Sequence, residues 1–171
     1  MGKRIVMLLL CVFALIVLSP VFLVIAILIK CEDGGPVFFK QTRLTKDRKE
    51  FGMYKFRSMC VDAEAKLASL MDRNEVNGPA FKIEDDPRIT KVGKIIRATR
   101  LDELPQMINI IKGEMSIIGP RPPLVREVAE YTDYQLHRLD VKTGLSCYHE
   151  CYGRSNVTDF DQWVEQDLKY I

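Results

Sequence analysis

Charge is missing altogether from Ile5 to Ile29. Beyond that block no sign dominates: setting aside Lys3, Arg4 and Lys30, the 25 basic residues fall to 22, against 23 acidic ones. A near-neutral remainder lacks the broad positive field that nucleic-acid binding needs. Phosphate recognition, if present, must come from locally placed arginines. Histidine is scarce, with only His137 and His149. Cysteine is odd in number and scattered, at positions 11, 31, 60, 147 and 151, which is no disulfide framework for a small secreted domain. Cys147, His149 and Cys151 stand together as CYHEC, but no second cysteine or histidine cluster completes four zinc ligands. Reduced thiols facing a cytosol are the simpler expectation. Repeats, low-complexity tracts and a clear interdomain linker are also absent, and 171 residues allow one ordinary domain plus extras.

The uncharged block itself is long enough, at ~1.5 Å per helical residue, to cross a hydrocarbon core. A signal peptide fits it poorly, because the run is too long and no small-x-small cleavage site follows. Ser19-Pro20 interrupts the run, and a proline inside a helix deletes one hydrogen bond and clashes one turn back. The serine hydroxyl can help satisfy the freed backbone group. Basic residues flank both ends, so charge gives no orientation. Two topologies stay open: a spanning helix, and a kinked one that enters and leaves on the same face.

After the Asp33-Gly34-Gly35-Pro36 turn, Val37 to Phe39 and Phe51 to Phe56 read as strands of a hairpin around the charged turn 45–50. Propensity and an apolar face of Leu67, Leu70 and Met71 predict a helix over 63–73. Asp85 and Asp86 could bind a cation, but two adjacent loop acids are more often solvated turn formers. Apolar spacing from Leu124 to Leu139 predicts one amphipathic helix ending near Asp140, and a last helix runs from Asp159 or Phe160 through Leu168. Segments of this kind, arginine-bearing and apolar on one face, suit a membrane surface.

Between these lies RATRLDELPQMINIIKGEMSIIGPRPP, residues 97–123. Asp102 and Glu103 stand just ahead of Pro105, where a proline's missing N–H costs least at a helix start. Leu104, Met107, Ile108, Ile111 and Met115 recur at helical spacing. Arg97 and Arg100 precede the acids, and Arg121 is held between Pro120 and Pro122. Two carboxylates with arginines on both sides suit a phosphate and a divalent cation. Ordinary helix capping by the acidic pair is the competing reading.

Four segments now carry a resemblance: LDELPQ at 101–106, IIGPRPP at 117–123, YKFRSM at 54–59 and DPRITKVGKIIRATR at 86–100. Each alone is weak, but together and in this order they resemble the bacterial sugar transferase family, the monotopic phosphoglycosyl transferases. The resemblance runs from Leu18 to Ile171 and is to the short form, a catalytic core behind one membrane segment. It implies an α+β membrane-associated protein: a re-entrant helix broken at Ser19-Pro20 in residues 1–30, and a cytosolic catalytic domain in 31–171 with a β-hairpin, short helices and amphipathic interfacial helices. It further implies transfer of a sugar-1-phosphate from a UDP-sugar to polyprenol phosphate, with Mg²⁺, at the cytoplasmic face of the bacterial inner membrane.

Carried to matching positions, the family's mechanism makes Asp102 the nucleophile that holds a covalent phosphosugar after UMP leaves. Glu103, which cannot point the same way, becomes the Mg²⁺ ligand. Arg97 and Arg121 are the candidates for clamping phosphate oxygens. Lys55, Arg57 and Arg154 match family positions and are candidates for nucleotide or lipid phosphate, with exposed ion pairs as the alternative for each. One loop departs from the pattern. Where the family reads close to PGITG and later GR, this chain has KTGLSCYHECYGR, with Thr143 for the proline and Cys147 for the second glycine. Family members also usually continue somewhat beyond the equivalent of Ile171. Two other classes stay in view: a non-catalytic, membrane-anchored module that binds UDP-sugars or partner enzymes, and a structural membrane adaptor. The sugar, the lipid length and the oligomeric state leave no readable pattern.

Overall fold

The computed structural model describes residues 2–73, 83, 85–147 and 159–171. Two helices open it, α1 (Gly2–Val17) and α2 (Ser19–Asp33), bent by 57° at their junction. In an unbroken helix the N–H of residue 20 would bond to the carbonyl of Ile16, and Pro20 has none to give. Ser19 Oγ donates to that Ile16 carbonyl instead, at 2.8 Å, so the bend leaves no orphan there. Among the described residues no single helix is long and apolar enough to cross a membrane; the bent pair reaches that length and apolarity only jointly. Gly34, at φ 71°, ends α2 in the left-handed conformation that favours glycine.

Strands β1 (Phe38–Leu44) and β2 (Glu50–Phe56) form the expected hairpin. Then come α3 (Lys91–Ala98), α4 (Gln106–Lys112), β3 (Ser116–Ile118), α5 (Val125–Val128), α6 (Asp133–Leu136), β4 (Gly144–Ser146) and α7 (Phe160–Leu168). The chain divides into two compact units. The first holds Met1–Gln41, Met53–Leu70 and Asp85–Lys112; the second holds Thr42–Gly52, Met71–Glu84 and Gly113–Ile171.

In the first unit, α2 turns Ile25 and Ile29 onto Phe56 and Ile96, with Phe22 edge-on to Phe56 at 5.0 Å. The rest of the helical pair is differently disposed. Leu9, Phe13, Ile16, Leu23 and Val24 are all more than half exposed, a concentration of outward-facing apolar side chains on the pair. Glu32, near the end of α2, accepts the backbone N–H of Lys91 at 2.7 Å and so helps cap α3, whose own N-cap Thr90 accepts from Gly93 at 2.9 Å. Gly93 lies so close to β2's continuation that a Cβ there would stand 2.0 Å from the Ser58 carbonyl oxygen.

In the second unit, β3 and β4 pair in parallel, Ser116 opposite Gly144 and Ile118 opposite Ser146. The crossing is tight: a Cβ on Gly144 would meet the Gly119 nitrogen at 2.1 Å. Thr143, fully buried, donates from its hydroxyl to the Thr45 hydroxyl at 3.1 Å, and Thr45 donates onward to the Glu114 carbonyl at 2.9 Å. A buried ion pair, Arg138 to Asp167 at 2.6 Å, ties α7 to the turn after α6.

Three expectations need correction. Residues 63–73 are not an α-helix but turns closing in a 3₁₀ helix, Ala68–Arg73; with only Ala63 and Leu70 of its inner face buried, local propensity does not carry a short helix. The long helix expected to Asp140 is broken after α5. Thr132 starts afresh: its hydroxyl accepts from Gln135 N at 3.3 Å, while Gln135 Oε1 accepts from Thr132 N at 2.9 Å. Asp86 is not solvated. It is buried in a two-point pair with Arg88, at 2.9 Å and 2.6 Å.

Candidate active site

Asp102 and Glu103 sit in a 3₁₀ turn, Leu101–Glu103, not in the first turn of α4 itself. Arg100 precedes them at φ 58°, a left-handed conformation that an arginine adopts only under constraint, and it swings the chain from α3 into the acidic turn. Pro105 then leads into α4, which buries Gln106, Met107, Asn109 and Ile110. The helix stops at Gly113, φ 82°.

Asp102 is 7% exposed. Burial pushes its carboxyl above the usual value of 3.8, with Glu103 adding to the rise and Lys55, then Arg97, opposing it. Among the described residues no cation makes a direct ion pair with it. Its neighbour differs: Glu103 Oε1 accepts from Lys55 Nζ at 2.7 Å. Lys55 comes from β2, and one residue before it Tyr54 N donates to Asn109 Oδ1 at 3.0 Å. Asn109 is fully buried on α4, so this bond fixes the strand that delivers Lys55 to the helix that follows the acids. Lys112 Nζ, 4.8 Å from the Tyr54 ring centre, adds a contact on the same side.

Four of the predicted residues, Lys55, Arg97, Asp102 and Glu103, thus belong to one neighbourhood in the first unit. Arg97 is exposed in the last turn of α3 and near enough to act on both Asp102 and Asp86. Arg57 is in the first unit too, but buried and fully engaged elsewhere: both guanidinium ends grip Asp33, and Nε donates to the Pro36 carbonyl at 2.6 Å. An ion pair to the end of α2 is therefore what Arg57 makes, with the arginine buried and Asp33 partly exposed. Arg121 belongs to the second unit, exposed between buried prolines. Its segment is pinned by Arg43, which donates to the Pro122 carbonyl at 2.9 Å, and by Leu44 N on the Pro123 carbonyl at 3.0 Å. Burial foremost, and then Arg121, depress the Arg43 guanidinium to about 10. Arg154 lies outside the described residues, as do His149 and Cys151.

Asn109 escaped the sequence reading. Its only signal was a polar residue inside the apolar run MINII, where a helix turns inward.

The donor chemistry bears on a metal. Asp102 and Glu103 offer hard oxygen atoms, and among the described residues no three His, Cys, Asp or Glu side chains group into a metal cage. Such a set fits Mg²⁺, which keeps its waters and substrate phosphates and needs only one or two carboxylates. It does not fit a caged structural ion.

Comparison with known proteins agrees with the motifs. The family model described as bacterial sugar transferase matches residues 1–171. A galactosyl transferase, CpsE, of Streptococcus agalactiae is 49% identical over 140 residues, covering 82% of this chain and 31% of that protein. The UDP-glucose:undecaprenyl-phosphate glucose-1-phosphate transferase of Escherichia coli is 40% identical over 165 residues, covering 92% and 33%. The exopolysaccharide production protein ExoY of Sinorhizobium fredii is 37% identical over 174 residues, covering 99% and 76%. The chain therefore spans about a third of the first two relatives and three quarters of the third. With its whole length matched, this chain belongs to the bacterial sugar transferase family.

Proposed function

We propose that the protein transfers a sugar-1-phosphate from a UDP-sugar to polyprenol phosphate, through a covalent aspartyl phosphosugar on Asp102. The observation that carries this reading is a buried aspartate whose charge is disfavoured by its surroundings and which, among the described residues, has no direct ion pair, beside a glutamate that has one. A carboxylate in that state is a better nucleophile than a hydrated or tightly paired one.

In the first displacement, an Asp102 oxygen bonds to the sugar-bearing phosphorus as its bond to the bridging oxygen breaks, and UMP leaves with that electron pair. In the second, an oxygen of polyprenol phosphate bonds to the same phosphorus and the Asp102 carboxylate departs. Two displacements let one substrate arrive from water and the other from lipid. Lys55 and Arg97 offset the negative charge gathered about Asp102. Glu103 would hold Mg²⁺, which when bound would neutralise charge on the diphosphate. Arg121, on its proline-fixed segment, is suited to a phosphate oxygen.

The bent helical pair is read as a re-entrant membrane segment. Its uncovered apolar faces want hydrocarbon, while α2's buried face binds it to the catalytic unit. The cytoplasmic face of a bacterial inner membrane is the corresponding location. Wild-type protein in lipid, given UDP-sugars and polyprenol phosphate, should release UMP, and UDP-sugar alone should leave a phosphosugar on Asp102 detectable by mass spectrometry. A non-catalytic binding module would give neither; UMP release with no Asp102 adduct would end the nucleophile assignment.

A further inference from the structure

We propose that Lys55 is the resident counter-cation of the acidic turn, bound to Glu103 in the ligand-free protein and displaced when a divalent cation arrives. This rests on the reading of Glu103 as the metal ligand. The ammonium lies 2.7 Å from Glu103 Oε1, and the two side chains are 19% and 20% exposed, sheltered but within reach of an incoming ion. On one carboxylate a metal and an ammonium compete: both are drawn to the same oxygens, and at that distance their like charges repel.

The lysine is built to leave without disturbing its strand. The backbone beside it is fixed by Asn109 on Tyr54 N, and the Tyr54 ring has Lys112 at 4.8 Å and Lys40 at 5.7 Å from its centre. The four-carbon stem of a lysine is flexible, and its head is a compact charge with three rotatable donors. Motion is thus confined to the side chain. Nor is the site a cage that holds an ion unaided, since among the described residues no third acidic, thiol or imidazole ligand joins it. A bound diphosphate would offer the displaced ammonium phosphate oxygens to meet. Metal and nucleotide should therefore bind with positive coupling, and Lys55 is the residue that links them.

The test is Mn²⁺ binding to the full chain in lipid nanodiscs, by electron paramagnetic resonance, without nucleotide. Lys55→Met should tighten Mn²⁺ binding at least tenfold over wild type, Lys55→Arg should leave it weak, and Glu103→Gln added to Lys55→Met should abolish the gain. Lys55→Gln, read the same way, serves if the methionine variant folds poorly. Unchanged Mn²⁺ affinity in both neutral variants, or a gain that survives Glu103→Gln, overturns the exchange and reduces the pair to a partly exposed salt bridge. UMP release by the wild type is scored separately: its absence with the exchange intact defeats the transferase reading alone.

Discussion

Asp86 and Asp102 are both buried aspartates in the same compact unit, and their surroundings push them opposite ways. Arg88 grips Asp86 at two points and holds its carboxyl below the usual 3.8. Asp102 has cations nearby and, among the described residues, none bonded to it, so burial prevails and its carboxyl rises. The first arrangement stabilises a charge in order to hold a loop. The second keeps a charge uncomfortable, which is what a nucleophile requires, and it lowers stability in return. Burial alone therefore does not mark a reactive acid; the form of the partner does.

The strongest way to break this contrast is Asp102→Asn. Sugar-phosphate transfer should fall by about 10⁴-fold or more, as for loss of other enzymatic nucleophiles. The melting temperature at pH 7 should hold or rise. The sign follows from the raised carboxyl: the fold disfavours its charged form, a penalty fully present above the folded pKa and gone below the ordinary 3.8. A marked loss of stability would show that Asp102 is a structural acid like Asp86.

Arg88→Met should do the reverse. Leaving Asp86 buried and unpaired costs about 3–5 kcal/mol, read as a fall in denaturation midpoint. Asp86's lowered carboxyl stabilises the wild type above 3.8, and that contribution fades as pH drops through its folded value. Acid melts of the two proteins should converge at low pH.

Asn109→Ala is milder. It strands the Tyr54 N–H at about 1–3 kcal/mol and loosens the approach of Lys55 to Glu103, so transfer should fall further than the loss of folded protein explains. Activity measured per folded molecule, with folding followed by circular dichroism, separates the two.

Smallest is an effect at Tyr131, where burial again prevails over a bonded cation, Arg138, and the phenol is pushed up to about 12. Its folded state holds the proton longer than an unfolded tyrosine near 10, so stability should be lost as pH rises from about 10 to about 12. Absorbance titration should find one of the six tyrosines late, and Tyr131→Phe should remove that step.

Much of the site was legible because its determinants are local. Asp102, Glu103 and Pro105 are neighbours in sequence, the hairpin announces itself by strands around a charged turn, and α7 follows from one apolar face. What stayed hidden depends on distant partners. Nothing in YKFRSM tells Lys55, which reaches Glu103, from Arg57, which turns back to Asp33. The parallel pairing of β3 with β4 joins three-residue strands with residues 119–143 between them, too short for any pattern. The break after α5 was written in Thr132 and Gln135, but apolar spacing continued through it and masked the cap.

The hydroxyl relay from Thr143 through Thr45 to Glu114 changes how the divergent loop should be regarded. A proline at 143 would have neither a hydroxyl nor an N–H to give, so Thr45 would need another neighbour. Residues 98 places apart along the chain are thereby tied to each other's chemistry. Restoring the family's proline here without altering residue 45 would then weaken the fold, so a change that makes this chain more typical of its relatives would make it worse.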